Sequence, residues 1–195
     1  MIAFVRGKFF RKSPAQVIVD VNGVGYEVQI SLHTYSFISD TDSGQLFTYL
    51  HITENAQTLY GFFGLEEKEL FLQLISVSGV GAATARMMLS GMKPEEIRRS
   101  IMQGNAKQLE SVKGIGRKTA ERLILELRDK VGKISGDSFT TSAGGHNTKA
   151  DDALNALLSL GISKPMAEAA VKKVFQNDVA DISVEQIIKQ ALKNL

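Results

Sequence analysis

Cysteine is absent from the 195 residues. Disulfides, thiol nucleophiles, iron–sulfur clusters and thiolate zinc sites are therefore excluded. No apolar run approaches the roughly 18 to 20 residues that a membrane span needs. The apolar part of Met1–Arg6 is too short for a signal peptide, so a soluble, cytoplasmic chain is expected. A large excess of either charge is missing as well: 23 Lys and Arg face 21 Asp and Glu, and the net +2 argues for no polyanionic partner by itself. Histidine is scarce. His33, His51 and His146 show no metal or triad spacing and read as surface, strand or linker residues. What is present is ordinary: 44% hydrophobic and 23% charged residues exclude global disorder. The length allows one large domain or two to three small ones.

The distribution of charge says more than its total. Residues 1–64 hold four basic and five acidic groups, a net −1. Residues 65–133 hold thirteen and nine, a net +4, and residues 134–195 hold six and seven, a net −1. The excess in the middle third suits a polyanion, and it equally suits a solvated helical surface.

Periodicity changes at the same places. Ala3–Lys12, Gln16–Val21, the alternating Tyr26, Val28 and Ile30, Leu46–Ile52 and Gln57–Phe63 read as five strands. Asn22-Gly23 is a type I′ hairpin signal. Five short strands that must hide their edges predict a small barrel, OB-like, with an SH3-like barrel as the alternative. From Glu66 the period is helical. Leu70, Leu74 and Ile75 share a face, Pro94-Glu95-Glu96 reads as a first helical turn, and Asn105 and Gln108 have capping-box spacing. Ala120, Leu123, Ile124 and Leu127 form a helical stripe. Gly132–Thr148 is rich in Gly, Ser and Thr and predicts a flexible linker. Three short helices follow, at about 151–160, 164–176 and 184–194, the last opened by a Ser183/Gln186 capping box. The expected domains are a barrel (1–64), a helical domain (65–133), a linker (134–149) and a three-helix domain (150–195): an α+β multi-domain chain.

The central third contains an internal repeat. Gln73–Ala85 and Gln108–Ala120 align at an offset of 35, with eight identities in thirteen positions and Val80/Ile115 as a conservative pair. Each copy reads as helix, Gly-φ-Gly turn, helix, where φ is aliphatic. The glycines let a ligand approach the chain closely. The amides after them open the second helix, so unpaired N–H groups and the positive helix end face outward together, which suits a phosphate. Such a site touches backbone phosphates and not bases, so it predicts binding without strong sequence preference. The candidate contacts are Gly79, Val80 and Gly81 in the first turn, and Gly114, Ile115, Gly116 and Thr119 in the second. Lys113, Arg117 and Lys118 flank the second turn, and Val80 and Ile115 are expected to point inward. A single turn of this kind reads first as a plain tight turn; its duplication, with three cations flanking the second copy, favours the binding reading. The pattern resembles the helix-hairpin-helix motif of DNA-binding proteins.

The order of barrel, paired hairpins, linker and helical tail resembles the RuvA family of Holliday junction branch-migration proteins over essentially the whole chain. The segments that carry this are Asn22–Val28, Ala56–Phe62, Gly79–Gly81, Leu89–Met92 and Gly114–Leu123. The resemblance implies a non-catalytic, four-fold symmetric tetramer, or an octamer, that holds four-way junction DNA open in recombination and repair. It implies hairpins at the DNA backbone and an acidic pin on a barrel loop, here Thr53-Glu54-Asn55-Ala56. It implies a carboxyl-terminal domain that docks on the hexameric ATPase RuvB, with the junction resolvase RuvC as a further partner. Leu157, Leu160 and Ile162 cluster around the Gly161 turn and read first as core packing; the resemblance makes them the candidate docking residues for RuvB. Two positions depart from the family pattern. Asn55 stands where a second acid is common, and Ala83 stands where a basic residue often follows the first turn; Arg86, one helical turn on, is a candidate substitute at the phosphate.

Catalysis is not expected. Gly116-Arg-Lys-Thr119 has a superficial likeness to a phosphate-binding P-loop, but Arg117 interrupts Gly-Lys and the upstream glycine is missing. No ATP site and no cofactor follow from the residues. A helix-hairpin-helix repair enzyme and a protein-binding scaffold are the alternatives. The first would carry a catalytic Asp soon after its hairpin, where Glu121, Glu126 and Asp129 lie on an amphipathic helix. The second leaves the duplicated turns unexplained.

Overall fold

A computed structural model describes residues 1–134, 149–176 and 182–194. Five strands form a closed barrel: β1 (Phe4–Ser13), β2 (Gln16–Val21), β3 (Val24–Ile30), β4 (Ser43–Ile52) and β5 (Gln57–Phe62). Their order is β1-β2-β3-β5-β4, antiparallel throughout except for the parallel β3–β5 pair, and the ring leaves no open edge. Alternation fills the interior. Val17, Val19, Val28, Ile30, Leu46 and Leu59 turn inward, and their polar neighbours turn out. The β2–β3 turn is of the expected kind: Asn22 and Gly23 have φ of 52° and 87°, and the Gly23 amide donates to Asp20 Oδ1 at 2.7 Å.

One element escapes the sequence reading. The helix α1 (Leu32–Ile38) lies between β3 and β4, the position that favours the OB-like barrel over the SH3-like one. Its Thr, Tyr, Phe and Ile are strand formers by propensity. Local capping overrides them: Ser31 Oγ accepts from the Thr34 amide at 3.0 Å. At the other end Lys12 Nζ donates to the carbonyls of Ser39 (2.8 Å) and Thr41 (2.6 Å).

Five helices follow: α2 (Leu65–Ile75), α3 (Ala82–Gly91), α4 (Pro94–Gln103), α5 (Ala106–Glu110) and α6 (Arg117–Ile134). Pro94 opens α4, and the left-handed Gly104 (φ 70°) closes it. Asn105 caps α5 by accepting from the Gln108 amide. Leu70, Leu74, Ile97, Ile101, Leu109, Leu123 and Leu127 make one core, and Tyr60 and Phe62 of β5 belong to it. Phe71 sits at the seam, its ring 4.9 Å from that of Phe62 and 5.2 Å from that of Tyr60. Barrel and hairpins therefore form one compact unit.

The second unit holds α7 (Lys149–Ser159), α8 (Lys164–Gln176) and α9 (Val184–Lys193). Ala153, Leu157, Ala167, Val174, Ile187 and Ala191 are its core. Gly161 turns the chain at φ 87°, and Ser183 and Gln186 form the expected reciprocal cap. The linker expectation needs trimming at both ends. Residues 132–134 continue α6 and Lys149 opens α7; the remainder, 135–148, lies outside the described residues, as does His146. No helix among the described residues is long and apolar enough to cross a membrane.

Candidate nucleic-acid interface

The repeated segments fold as two matching hairpins, α2–α3 and α5–α6. Gly79 has φ 93° and Gly114 has φ 94°, a left-handed conformation that a β-carbon would strain. The hydrogen bonds also repeat. The Val77 amide donates to Leu74 O at 3.2 Å, and the Val112 amide to Leu109 O at 3.2 Å. The first amides bonded within the following helices are Ala85, to Gly81 O, and Ala120, to Gly116 O, both at 2.9 Å. By helix geometry, the amides of Ala82–Thr84 and Arg117–Thr119 are left as N-terminal donors without helical acceptors. Gly79, Gly81, Gly114 and Gly116 are exposed, and a β-carbon at Gly81 or Gly116 would meet no atom within 4 Å. The two turns are neighbours: a β-carbon at Gly114 would lie 3.9 Å from Thr84 Cγ2. Two adjacent, exposed helix N-termini are physically suited to anionic phosphates.

Val80 and Ile115 are 5% exposed and pin their turns to the core, as expected. Their place among the phosphate contacts needs correction. Each amide is already used inside its own turn, Val80 to Val77 O and Ile115 to Val112 O, both at 3.0 Å. These two residues shape the turn, and the amides left without helical acceptors are those that follow it.

Arg86 also departs from expectation. It does not reach out beside the first turn. Its Nη1 donates to Gln29 Oε1 on β3 at 2.5 Å and to Ala15 O at 3.0 Å, tying α3 to the barrel. The same group faces Tyr60, whose hydroxyl burial pushes up in pKa and Arg86 draws down. At the first hairpin the second residue after the turn is Ala83, exposed and uncharged. The second hairpin has Lys113, Arg117 and Lys118, all exposed. Arg117 Nε donates to Glu121 Oε1 at 2.9 Å, and that carboxylate raises the guanidinium pKa. Such an exposed i,i+4 pair is weak and readily exchanged for a phosphate. Ala83→Lys should therefore tighten duplex binding and steepen the log–log salt dependence by about 0.9 for one added phosphate contact. A salt series of anisotropy titrations reads the slope directly.

The loop Thr53-Glu54-Asn55-Ala56 is the exposed tip of the β4–β5 hairpin. The Thr53 amide donates to Ala56 O at 2.9 Å and closes it, so Glu54 and Asn55 project into solvent. His51 lies on β4 below this tip, and His33 lies on α1 with its ring 5.1 Å from that of Phe37. No cluster of metal-ligating side chains occurs among the described residues.

In the second unit the three candidate docking residues separate. Leu157 is fully buried and belongs to the core, Ile162 is half-buried, and Leu160 is 63% exposed. A docking role for the Leu157 side chain is therefore set aside. Sequence reasoning also passed over Glu67, a buried acid that links α2 to the barrel. A signal for it existed: Glu67, Leu70, Phe71 and Leu74 share one helical face, so this acid lies on the apolar stripe.

Comparison with known proteins agrees with this architecture segment by segment. Residues 1–61 match the family model described as RuvA N terminal domain, residues 71–129 match a SAM-like helix-hairpin-helix tandem, and residues 148–195 match RuvA, C-terminal domain. A Flavobacterium psychrophilum protein named Holliday junction branch migration complex subunit RuvA is 49% identical over 195 residues, the whole of both chains. An Amoebophilus asiaticus protein of the same name is 48% identical over 194 residues, 99% of this chain and all of that one. A Geotalea daltonii protein of that name is 41% identical over 199 residues. With barrel, hairpin tandem and helical tail all matched in order, the chain belongs to the RuvA family.

Proposed function

We propose that this protein recognises four-way junction DNA, holds it open as a tetramer or octamer, and recruits a RuvB-type hexameric ATPase that drives branch migration. A RuvC-type resolvase is a further partner in this reading. The protein itself is an accessory subunit without catalysis, acting in the cytoplasm. One observation carries the proposal: two side-by-side Gly-φ-Gly turns whose helix ends present unpaired amides on an open surface. Gly79, Gly81, Gly114, Gly116, Lys113, Arg117, Lys118 and Thr119 would grip the backbone of one duplex arm. Four copies would grip four arms and bring the Glu54 loops to the crossover. One carboxylate per copy, with Asn55 beside it, gives a weaker like-charge barrier to phosphate than two would. Leu160 and the half-buried Ile162 would face the ATPase.

The test is a gel-shift titration on a synthetic four-way junction and a linear duplex of equal length, across several salt concentrations. Tight, magnesium-independent junction binding and much weaker duplex binding are expected. Equal affinity for both, falling steeply with salt, would leave a generic duplex-backbone binder. A particle mass corresponding to a monomer at micromolar concentration would remove the four-fold arrangement.

A further inference from the structure

Two charged side chains outside the turns join the hairpins to the barrel. Glu67, on α2, is 2% exposed. Its Oε1 accepts the Ser31 hydroxyl, and its Oε2 accepts the Thr34 hydroxyl at 2.6 Å. Those hydroxyls are themselves held: Ser31 Oγ accepts from the Thr34 amide at 3.0 Å, and Thr34 Oγ1 accepts from the Phe63 amide at 2.9 Å. One carboxylate thus gathers the end of β3, the first turn of α1, and the β5–α2 link. Burial pushes its pKa up. The two hydroxyls, the His33 charge and the Phe63 amide hold it down. On the next helix, Arg86 reaches Gln29 and Ala15, as described, and the Leu32 amide donates to Ser90 Oγ at 3.1 Å. So α2 and α3, the two helices that flank the first turn, are both bound to one corner of the barrel.

Packing alone does not ask for an acid here. Removing a carboxylate from water is costly, and an apolar side chain of similar volume would fill the space. What a buried, fully hydrogen-bonded charge adds is direction. The strand β5 runs from the Thr53–Ala56 loop directly to Phe62 and Phe63, where this network begins. The angle it holds is therefore the angle between the barrel loop and the hairpin turns. In the reading proposed above, a linear duplex would engage the turns only, whereas a four-way junction would meet turns and loop at once, in a fixed relation.

We infer that Glu67 and Arg86 are positioning residues that brace the barrel against the hairpins and thereby set selectivity for a four-way junction over a linear duplex. The inference rests on the junction-binding reading above. Affinity for a junction and for an equal-length duplex would be titrated for the full chain and for Glu67→Gln, Thr34→Val, Thr34→Ser and Arg86→Gln. Glu67→Gln and Thr34→Val should weaken junction binding about tenfold, the scale of one lost bond to a charged group, and leave duplex binding unchanged. Thr34→Ser, which keeps the hydroxyl, should retain the original ratio. Arg86→Gln should lower the ratio with no change in the duplex salt slope. Equal losses on both DNAs, or an unchanged ratio, would reduce Glu67 to a stability element. A salt slope shallower by about 0.9 in Arg86→Gln would return Arg86 to the phosphates. If Glu67→Gln does not fold, the Thr34 pair decides. Absence of junction preference in the unmodified chain would overturn the proposed function; preference that survives in every variant would overturn the brace alone.

Discussion

Changing Gly81 and Gly116 together to valine should lower affinity for junction and duplex alike by at least about a hundredfold. The estimate takes one lost bond to a charged group at each turn, at roughly tenfold or more apiece. The backbone tolerates the change. Gly81 has φ −80°, open to any residue, and a β-carbon at either position meets nothing within 4 Å. The branched side chains would stand where the phosphates approach the helix amides. Folding cost is modest: valine caps a helix less well than glycine, by about 1 kcal/mol or less at each site. Melting temperature should therefore stay within a few degrees while anisotropy titrations lose their signal. Gly79→Val and Gly114→Val are the contrast. Their φ values of 93° and 94° strain a valine backbone, so they should lose stability along with binding. Of the single variants, Gly116→Val should be the more damaging, because Lys113 and Lys118 concentrate the attraction at the second turn. Full affinity in the double variant would mean that the helix ends do not carry the contact.

The hairpins were legible in the sequence because the sequence states them twice. A turn with one glycine pair is ambiguous; an offset of 35 repeated over thirteen positions is not, and the structure repeats the hydrogen bonds along with the residues. The direction of a long side chain was not legible. Arg86 counts as a cation near a turn in one dimension, and in three it lies against β3 with Gln29 as its partner, 57 residues away. The inward direction of Val80 and Ile115 is legible from their aliphatic character, but the bonds that occupy their amides are not, because turn bonds depend on backbone angles. The helix α1 was hidden by propensity, since four of its seven residues favour a strand and only Ser31 marks its start. Glu67 was hidden by company. Glu66 and Glu67 look alike as first-turn acids, and only the one on the apolar face is buried.

The second large effect is expected in the helical tail, where two neighbouring leucines should fail in opposite ways. Leu157→Ala removes a fully buried side chain from a core made mostly of alanine, valine and isoleucine. Such a truncation costs about 2–5 kcal/mol. A three-helix unit of this size rarely commands more than about 3–5 kcal/mol in all. The unit should therefore unfold at ordinary temperature, seen as the loss of its own calorimetric transition and of helical signal. Junction affinity should persist, because the hairpins draw their core from the other unit. Leu160→Ala should leave both transitions in place, since that side chain is 63% exposed and supports little. Its effect should appear only when a RuvB-type ATPase is titrated onto the DNA-bound protein. Loss of ATPase binding in both variants, with folding lost in one, assigns docking to the surface around Gly161 and support to Leu157. If Leu157→Ala also destroyed junction binding, the two units would be energetically coupled. If Leu160→Ala bound the ATPase normally, docking would belong to another face of the same three helices.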